Sequence, residues 1–233
     1  MNMVDRVKSG IEGLDEMLEG GIPKSHMVVV MGSFGTGKTT LGLQFLNQGL
    51  KEGEKGIYIS LEEDEKSILD DAKAFNWDLK PHLDGKRLAL VKLEPTDAKT
   101  TVTRVGKELP EFIRSFGATR IVIDSVSLLN MLFENEHDKR VMLFNLTQLI
   151  KKTGATCLMT AEVKDDNPLA TRDGLAEFVA DGVIALRNIE TPERNEMQLT
   201  LRVVKMRRIR HSRRITPYGI TAKGIEVHAG AEI

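Results

Sequence analysis

A chain of 233 residues with 41% hydrophobic and 29% charged residues is long enough to bury a sizeable core without disulfide or metal staples. Lys and Arg number 33 against 34 Asp and Glu, a formal net charge of -1, so net charge recommends neither nucleic acid nor an acidic membrane as a partner. The single cysteine, Cys157, excludes an intramolecular disulfide framework and a cysteine-rich zinc site, and its apolar setting reads as a buried thiol in a reducing compartment. Acidic residues from Asp5 to Glu19 interrupt the N-terminal stretch, and no segment approaches the roughly 18 apolar residues of a membrane span. The expectation is a soluble cytoplasmic protein with no membrane partner. No internal repeat or low-complexity tract is evident.

In chain order, Ser9-Gly-Ile-Glu12 reads as a capping box opening a short helix with Ile11, Leu14 and Leu18 on one face, ended by Gly20, Gly21 and Pro23. Residues 27–31 form a short β-branched apolar run, a buried parallel strand. After a glycine-rich turn, residues 39–50 place Leu43, Leu46 and Leu50 at helical spacing. The alternation continues with a strand over 56–60, a helix over 64–75, a strand over 87–93, a helix over 101–116, a strand over 119–124, a helix over 138–152 and a strand over 155–161. Strands alternating with helices predict an α/β fold with a mostly parallel sheet covered on both faces. From Val179 the pattern changes to closely spaced strands over 183–187, 197–206 and 224–228, predicted as antiparallel additions at one edge. No Pro/Ser-rich linker divides the chain, so 1–233 reads as one domain: an N-terminal helical segment (1–24), a core (25–190) and a C-terminal β extension (191–233).

Gly32-Ser33-Phe34-Gly35-Thr36-Gly37-Lys38-Thr39 matches the phosphate-binding pattern G-x-x-x-x-G-K-[ST], follows a predicted strand and opens a predicted helix. The glycines let backbone N–H groups curl around a phosphate at the positive end of the helix; Lys38 supplies a point charge and Thr39 a hydroxyl for Mg²⁺, with Thr40 next in line. Asp124, ending the apolar run 121–123, fits the acidic position that holds the metal. An Asn-Lys-x-Asp guanine tetrad is absent, which leans towards ATP. Hydrolysis needs a carboxylate to orient water, and the strand after the loop helix ends in Ser60-Leu61-Glu62-Glu63, where a parallel sheet faces its ligand crevice. One or both of Glu62 and Glu63 are the candidates; neighbouring acids also raise each other's pKa.

Together, Ser9–Asp15, the Gly32–Thr39 loop, Glu62-Glu63, Ile121–Ser125 and Glu177–Asp181 resemble the KaiC-like branch of the RecA ATPases, single-domain archaeal homologues included. The resemblance spans about residues 4 to 229 and implies a RecA-like P-loop fold, a hexameric ring and ATP held between subunits. It also implies that a neighbour's Lys205, Arg207 and His211 reach the phosphates, from a segment whose usual Gly-Thr is here Arg208-Ile209. The family's adjacent carboxylates activate water, in keeping with Glu62 and Glu63. Glu177-Phe178 stands where the autophosphorylating domain of the family carries Ser-Thr, which implies hydrolysis and not self-phosphorylation, with Thr171 a nearby hydroxyl.

Two other readings stay open: an ATP-binding switch or scaffold that regulates a protein partner and hydrolyses little, and a recombinase-like ATPase whose basic stretch 202–214 binds DNA or RNA. No aromatic residue interleaves those charges, and a solvated basic edge strand is the plain structural alternative. His26, His82, His137 and His228 show no metal-ligand spacing and read as solvated or capping side chains. Phe75 and Trp77 read as packing beneath the 64–75 helix, and Phe34 as a loop residue that could equally face a neighbouring subunit.

Overall fold

The structure is a computed structural model that describes residues 4–94, 100, 104–164, 167, 169–172, 174–191 and 196–231. Nine strands form one continuous sheet. The chain enters it at β3 (Met27–Gly32), after a two-stranded ribbon of β1 (Arg6–Val7) and β2 (Ile22–Pro23) that brackets helix α1 (Glu12–Met17). Helix α2 (Lys38–Lys51), β4 (Gly56–Ser60), α3 (Glu65–Ala74), the short α4 (Lys80–Asp84) and β5 (Leu88–Lys92) follow. A π-helical turn, Arg104–Glu108, leads into α5 (Leu109–Phe116); residues 101–103 of the helix expected there lie outside the described residues. Next come β6 (Arg120–Asp124), α6 (Val126–Met131), α7 (Glu136–Lys151), β7 (Thr156–Ala161) and the single turn α8 (Ala176–Val179). The chain closes with β8 (Gly182–Thr191), β9 (Glu196–Met206), β10 (Thr216–Thr221) and β11 (Gly224–Val227).

The strand order is β11-β10-β9-β8-β3-β7-β6-β4-β5. Every pairing from β8 to β5 is parallel and every pairing from β8 to β11 antiparallel. Side chains alternate across a strand, and β3 shows what that does here. Val28 and Val30 pack with α1 and α2 in one core, while Met27, Val29 and Met31 pack with α5 and α7 in another. Both faces are therefore covered, as the near-continuous apolar strands predict.

Three expectations are corrected. The capping box does not form: Ile11 is the N-cap of α1 without a side-chain bond. Instead the Ser9 hydroxyl accepts from the Ile11 N–H at 3.0 Å, and the carboxylate reaching back to the Ser9 N–H, at 2.8 Å, belongs to Asp15. The strand expected over 183–187 is not an antiparallel addition, because β8 pairs in parallel with β3, Val28 opposite Gly182 and Gly32 opposite Leu186. The C-terminal extension holds one strand more than expected: β10, whose Pro217 and Gly219 break the apolar alternation.

Candidate nucleotide site

Gly32 ends β3 where no side chain fits, since a Cβ would lie 2.6 Å from Thr36 Oγ1 and 2.7 Å from the Leu186 carbonyl oxygen. Gly35 and Gly37 take φ of 72° and 78°, the left-handed region glycine enters without strain. The Thr36 hydroxyl donates to the Ser33 carbonyl at 2.7 Å and Tyr218, from β10, donates to the Thr36 carbonyl at 2.6 Å, so the loop is pinned from inside and from the C-terminal extension. The N–H groups of Gly35, Thr36 and Gly37 have no acceptor among the described residues. Such open donors ahead of the 14-residue α2 are an arrangement that attracts anions. Lys38 bends over the loop, its Nζ donating to the Ser33 carbonyl at 2.9 Å; burial lowers its pKa, against the opposing charges of Asp124, Glu162 and Glu62. Thr40 is half-buried in the first turn of α2, and Phe34 projects from the loop 90% exposed.

Register brings the acid to the loop. Thr39 donates to Asp124 Oδ2 at 2.7 Å and Tyr58 to the same oxygen at 2.6 Å, while Thr160 donates to Oδ1. Asp124 therefore sits among three hydroxyls contributed by α2 and by the strands on either side of its own. Ser60 lies opposite Asp124 in the β4–β6 ladder, and its hydroxyl accepts the N–H groups of Glu62 at 3.2 Å and Glu63 at 2.7 Å. That turn points the two acids differently. Glu62 is exposed, and its charge acts on Lys38. Glu63 is half-buried with Oε2 shielded and unpartnered; burial first, then the charges of Asp71, Asp124 and Glu62, raise its pKa.

The basic segment stands elsewhere. Gly32 pairs with Leu186 and Lys205 pairs with Val183, so Lys205 lies about 10 Å back along the sheet from the loop, towards the N-terminal ends of the parallel strands. Its Nζ donates to the carbonyls of Glu177 at 3.1 Å and Ala180 at 2.7 Å, and burial lowers its pKa, as does the charge of Arg207. Arg207 Nη1 lies 3.6 Å from Asp181, a carboxylate that also accepts from Lys151 and from the Met27 N–H. His211 Nδ1 donates to the Ser212 carbonyl at 2.9 Å. The loop, Thr39, Asp124 and the two glutamates thus converge, whereas Lys205 and Arg207 are held away from the loop of their own chain.

Four contributors were not singled out in the sequence: Tyr58 and Thr160 on Asp124, Glu162 near Lys38, and Tyr218 on the loop. Each lies at or near a strand whose neighbours only the topology reveals. Thr171 is buried and donates to the Glu177 carboxylate. His26 is buried between the carbonyls of Lys24 and Arg207, and Phe75 and Trp77 stack at 5.0 Å, the packing role expected.

With this geometry, the KaiC ATPase family profile matches residues 7–232. The chain belongs to the KaiC family of ATPases. The circadian clock oscillator protein KaiC of Prochlorococcus marinus is 33% identical over 233 residues, covering 97% of this chain and 45% of that protein. Its namesake from Synechococcus elongatus is 32% identical over 236 residues, covering 96% and 44%. The chain thus spans less than half the length of these KaiC relatives. Among solved structures, a KaiC-like protein from the hyperthermophilic archaeon Pyrococcus horikoshii superposes with a TM-score of 0.86 at 32% identity, covering 97% of this chain and all of that one. The fold is accordingly RecA-like α/β, mostly parallel, with antiparallel C-terminal strands. No helix among the described residues is long and apolar enough to cross a membrane.

Proposed function

We propose that this chain is one cytoplasmic ATPase domain that hydrolyses ATP to ADP and phosphate with Mg²⁺, as a homo-oligomer, a hexameric ring, whose sites are completed between copies. The observation that carries this reading is the separation of the two halves of the site. The open N–H groups of 35–37 and Lys38 lie at one end of the sheet, and Arg207, beside the Asp181 that caps the start of β3, lies towards the other. A phosphate in the loop can meet Arg207 only from another copy.

The metal fits the residues present. An Asp124 carboxylate and a Thr39 hydroxyl in contact offer hard oxygen donors, which suit Mg²⁺. No group of three His, Cys, Asp or Glu among the described residues would hold a cation alone, which suits one whose remaining ligands are phosphates and water. Bound there, the ion supplies charge neutralisation for the transferring phosphoryl group. Lys38 and the loop amides bind and orient the phosphates. Glu62, or Glu63 with its raised pKa, orients water and accepts its proton. Lys205, Arg207 and His211 of the neighbouring copy stabilise charge as it develops. Nucleic acid binding by the 202–214 stretch has less support, because no aromatic residue stands among its charges to stack a base.

The test is complementation. Lys38→Ala and Arg207→Ala should each hydrolyse ATP about 10²–10³-fold more slowly than the parent, and mixing the two should restore part of the activity, because some interfaces join an intact loop to an intact arginine. Turnover per subunit of the parent should rise with protein concentration to a plateau. Full activity of Arg207→Ala would overturn the shared site; full activity of Lys38→Ala would overturn hydrolysis at this loop.

A further inference from the structure

Two surface features remain unused by the site. Phe34 is 90% exposed in the middle of a loop whose phosphate chemistry asks for no aromatic ring. Towards the other end of the sheet, a groove of about 650 Å³ between α7 and α8 is walled by Val141, Phe144, Phe178 and Val179 and rimmed by Arg140 and Arg207. Phe144 and Phe178 are exposed there at 52% and 67%. Two such rings beside one another on a single copy form an apolar face without a partner.

We propose that this groove is the seat for Phe34 of a second copy of this chain, so that a ring on the phosphate loop keys one subunit into the next. The inference rests on the shared-site reading and adds the contact that sets its geometry. Arg207 lines the groove and is also the group assigned to the neighbour's phosphate. A loop close enough for the Arg207 guanidinium to touch its phosphate therefore lies beside the groove that the same side chain lines. Phe34 adjoins the open N–H groups of that loop, and its ring therefore arrives at the groove mouth with the phosphate.

Charge agrees with this docking. The groove carries Arg140, Lys151 and Arg207, the last two sharing the single carboxylate of Asp181, whereas the loop face sets Glu62, Glu63, Asp124 and, when loaded, the nucleotide phosphates against Lys38 alone, so the groove keeps a positive excess and the loop face a negative one. An aromatic ring desolvated in a pocket with a charged rim has the form of an interface hot spot. Because the ring and groove are different surfaces of one copy, the contact is heterologous and propagates head to tail.

The test uses the single native cysteine, which is fully buried with its thiol pushed up by desolvation and so is silent to alkylating linkers. The full-length double variant Phe34→Cys/Phe178→Cys, treated with a short bismaleimide in the presence of ATP and Mg²⁺, should give a ladder of covalent oligomers on denaturing gels. Either single variant should stay monomeric. A matching ladder from Phe34→Cys/Phe112→Cys, which places the second thiol on α5, would overturn the proposal as non-specific linkage. No ladder from the Phe178 pair at a protein concentration at which that double variant itself elutes as an oligomer would overturn the Phe34 contact and leave the shared site standing. Failure of the shared site itself would instead appear as full activity of Arg207→Ala. Independently, Phe144→Ser should raise the protein concentration for half-maximal turnover by at least about tenfold without changing nucleotide affinity at high dilution. An unchanged midpoint would overturn the proposal.

Discussion

Arg120 begins and Asp124 ends the same five-residue strand, and both charges are held by neighbouring elements, but in opposite ways. The Arg120 guanidinium is buried and uses all of its donors: Nε and Nη2 on Glu54, Nη2 also on Glu52, and Nη1 on the carbonyls of Lys8 and Phe45. It also lies 4.7 Å from the centre of the Phe45 ring. Asp124 receives three neutral hydroxyls and no ion pair among the described residues. A buried charge in contact with opposite charge is a structural node, whereas a half-buried one whose hydrogen bonds are all from neutral hydroxyls, with the Lys38 charge felt only through space, keeps more of its attraction for cations. One strand thus carries a closed electrostatic site at one end and an open one at the other.

The largest expected effect tests the open end. Asp124→Asn keeps one oxygen for the Thr39 and Tyr58 hydroxyls and sets an amide NH2 against the Thr160 hydroxyl, which can rotate to accept, but it removes the charge, so turnover should fall about 10²–10³-fold while the melting temperature moves by less than about 2 °C. Steady-state turnover and a thermal melt on the same sample check both halves. A large loss of stability would break the comparison, because Asp124 would then be a node like Arg120.

Arg120→Met is the converse. It strands two backbone carbonyls and leaves Glu52 and Glu54 without their partner, although both carboxylates are partly exposed and water recovers some of the loss. A destabilisation of about 3 kcal/mol is expected, lowering the melting temperature by roughly 6–12 °C in a chain of this size. Turnover of the fraction still folded should be near that of the parent. Chemical denaturation compared with turnover below the transition separates the two.

The two ends also differ in how far they can be read from sequence. The loop, Thr39, Asp124 and Glu62-Glu63 are local patterns tied to a strand end or a helix start, and such patterns survive without knowledge of the fold. Tyr58 and Thr160 reach Asp124 only because β4 and β7 flank β6, an order set by non-local pairing. Arg120 reads as an ordinary charge at a strand start, and its burial depends on Lys8, Phe45 and Glu52, far away in the chain. The parallel pairing of β8 is hidden from the sequence for the same reason: its spacing to β9 suggests a hairpin, while its other edge fills the place beside β3. Short α4, α6 and α8 carry too few residues to show a helical period.

The smallest effect concerns protons, because Glu54 at the closed end and Glu63 at the open end shift in opposite directions. Burial raises both, but for Glu54 the hydrogen bonds from Arg120 and Thr119 and the Arg120 charge outweigh it, and its carboxyl stays below the ordinary value. The stability that Glu54 gives is present above its unfolded pKa and lost as pH falls through the lower, folded one. For Glu63 burial is joined by negative neighbours, of which Asp71 contributes most, so its folded pKa lies above the unfolded one and acidification through that window relieves its end of the sheet. If Glu63 takes the proton from water, the acid limb of kcat lies above the usual glutamate range. Asp71→Asn, which removes that neighbouring charge without touching the phosphate loop, should then move the limb to lower pH. A kcat profile at saturating ATP and Mg²⁺ measures this. A limb that does not move would assign the base to Glu62, whose exposed carboxylate acts on Lys38 from the solvent side of the turn.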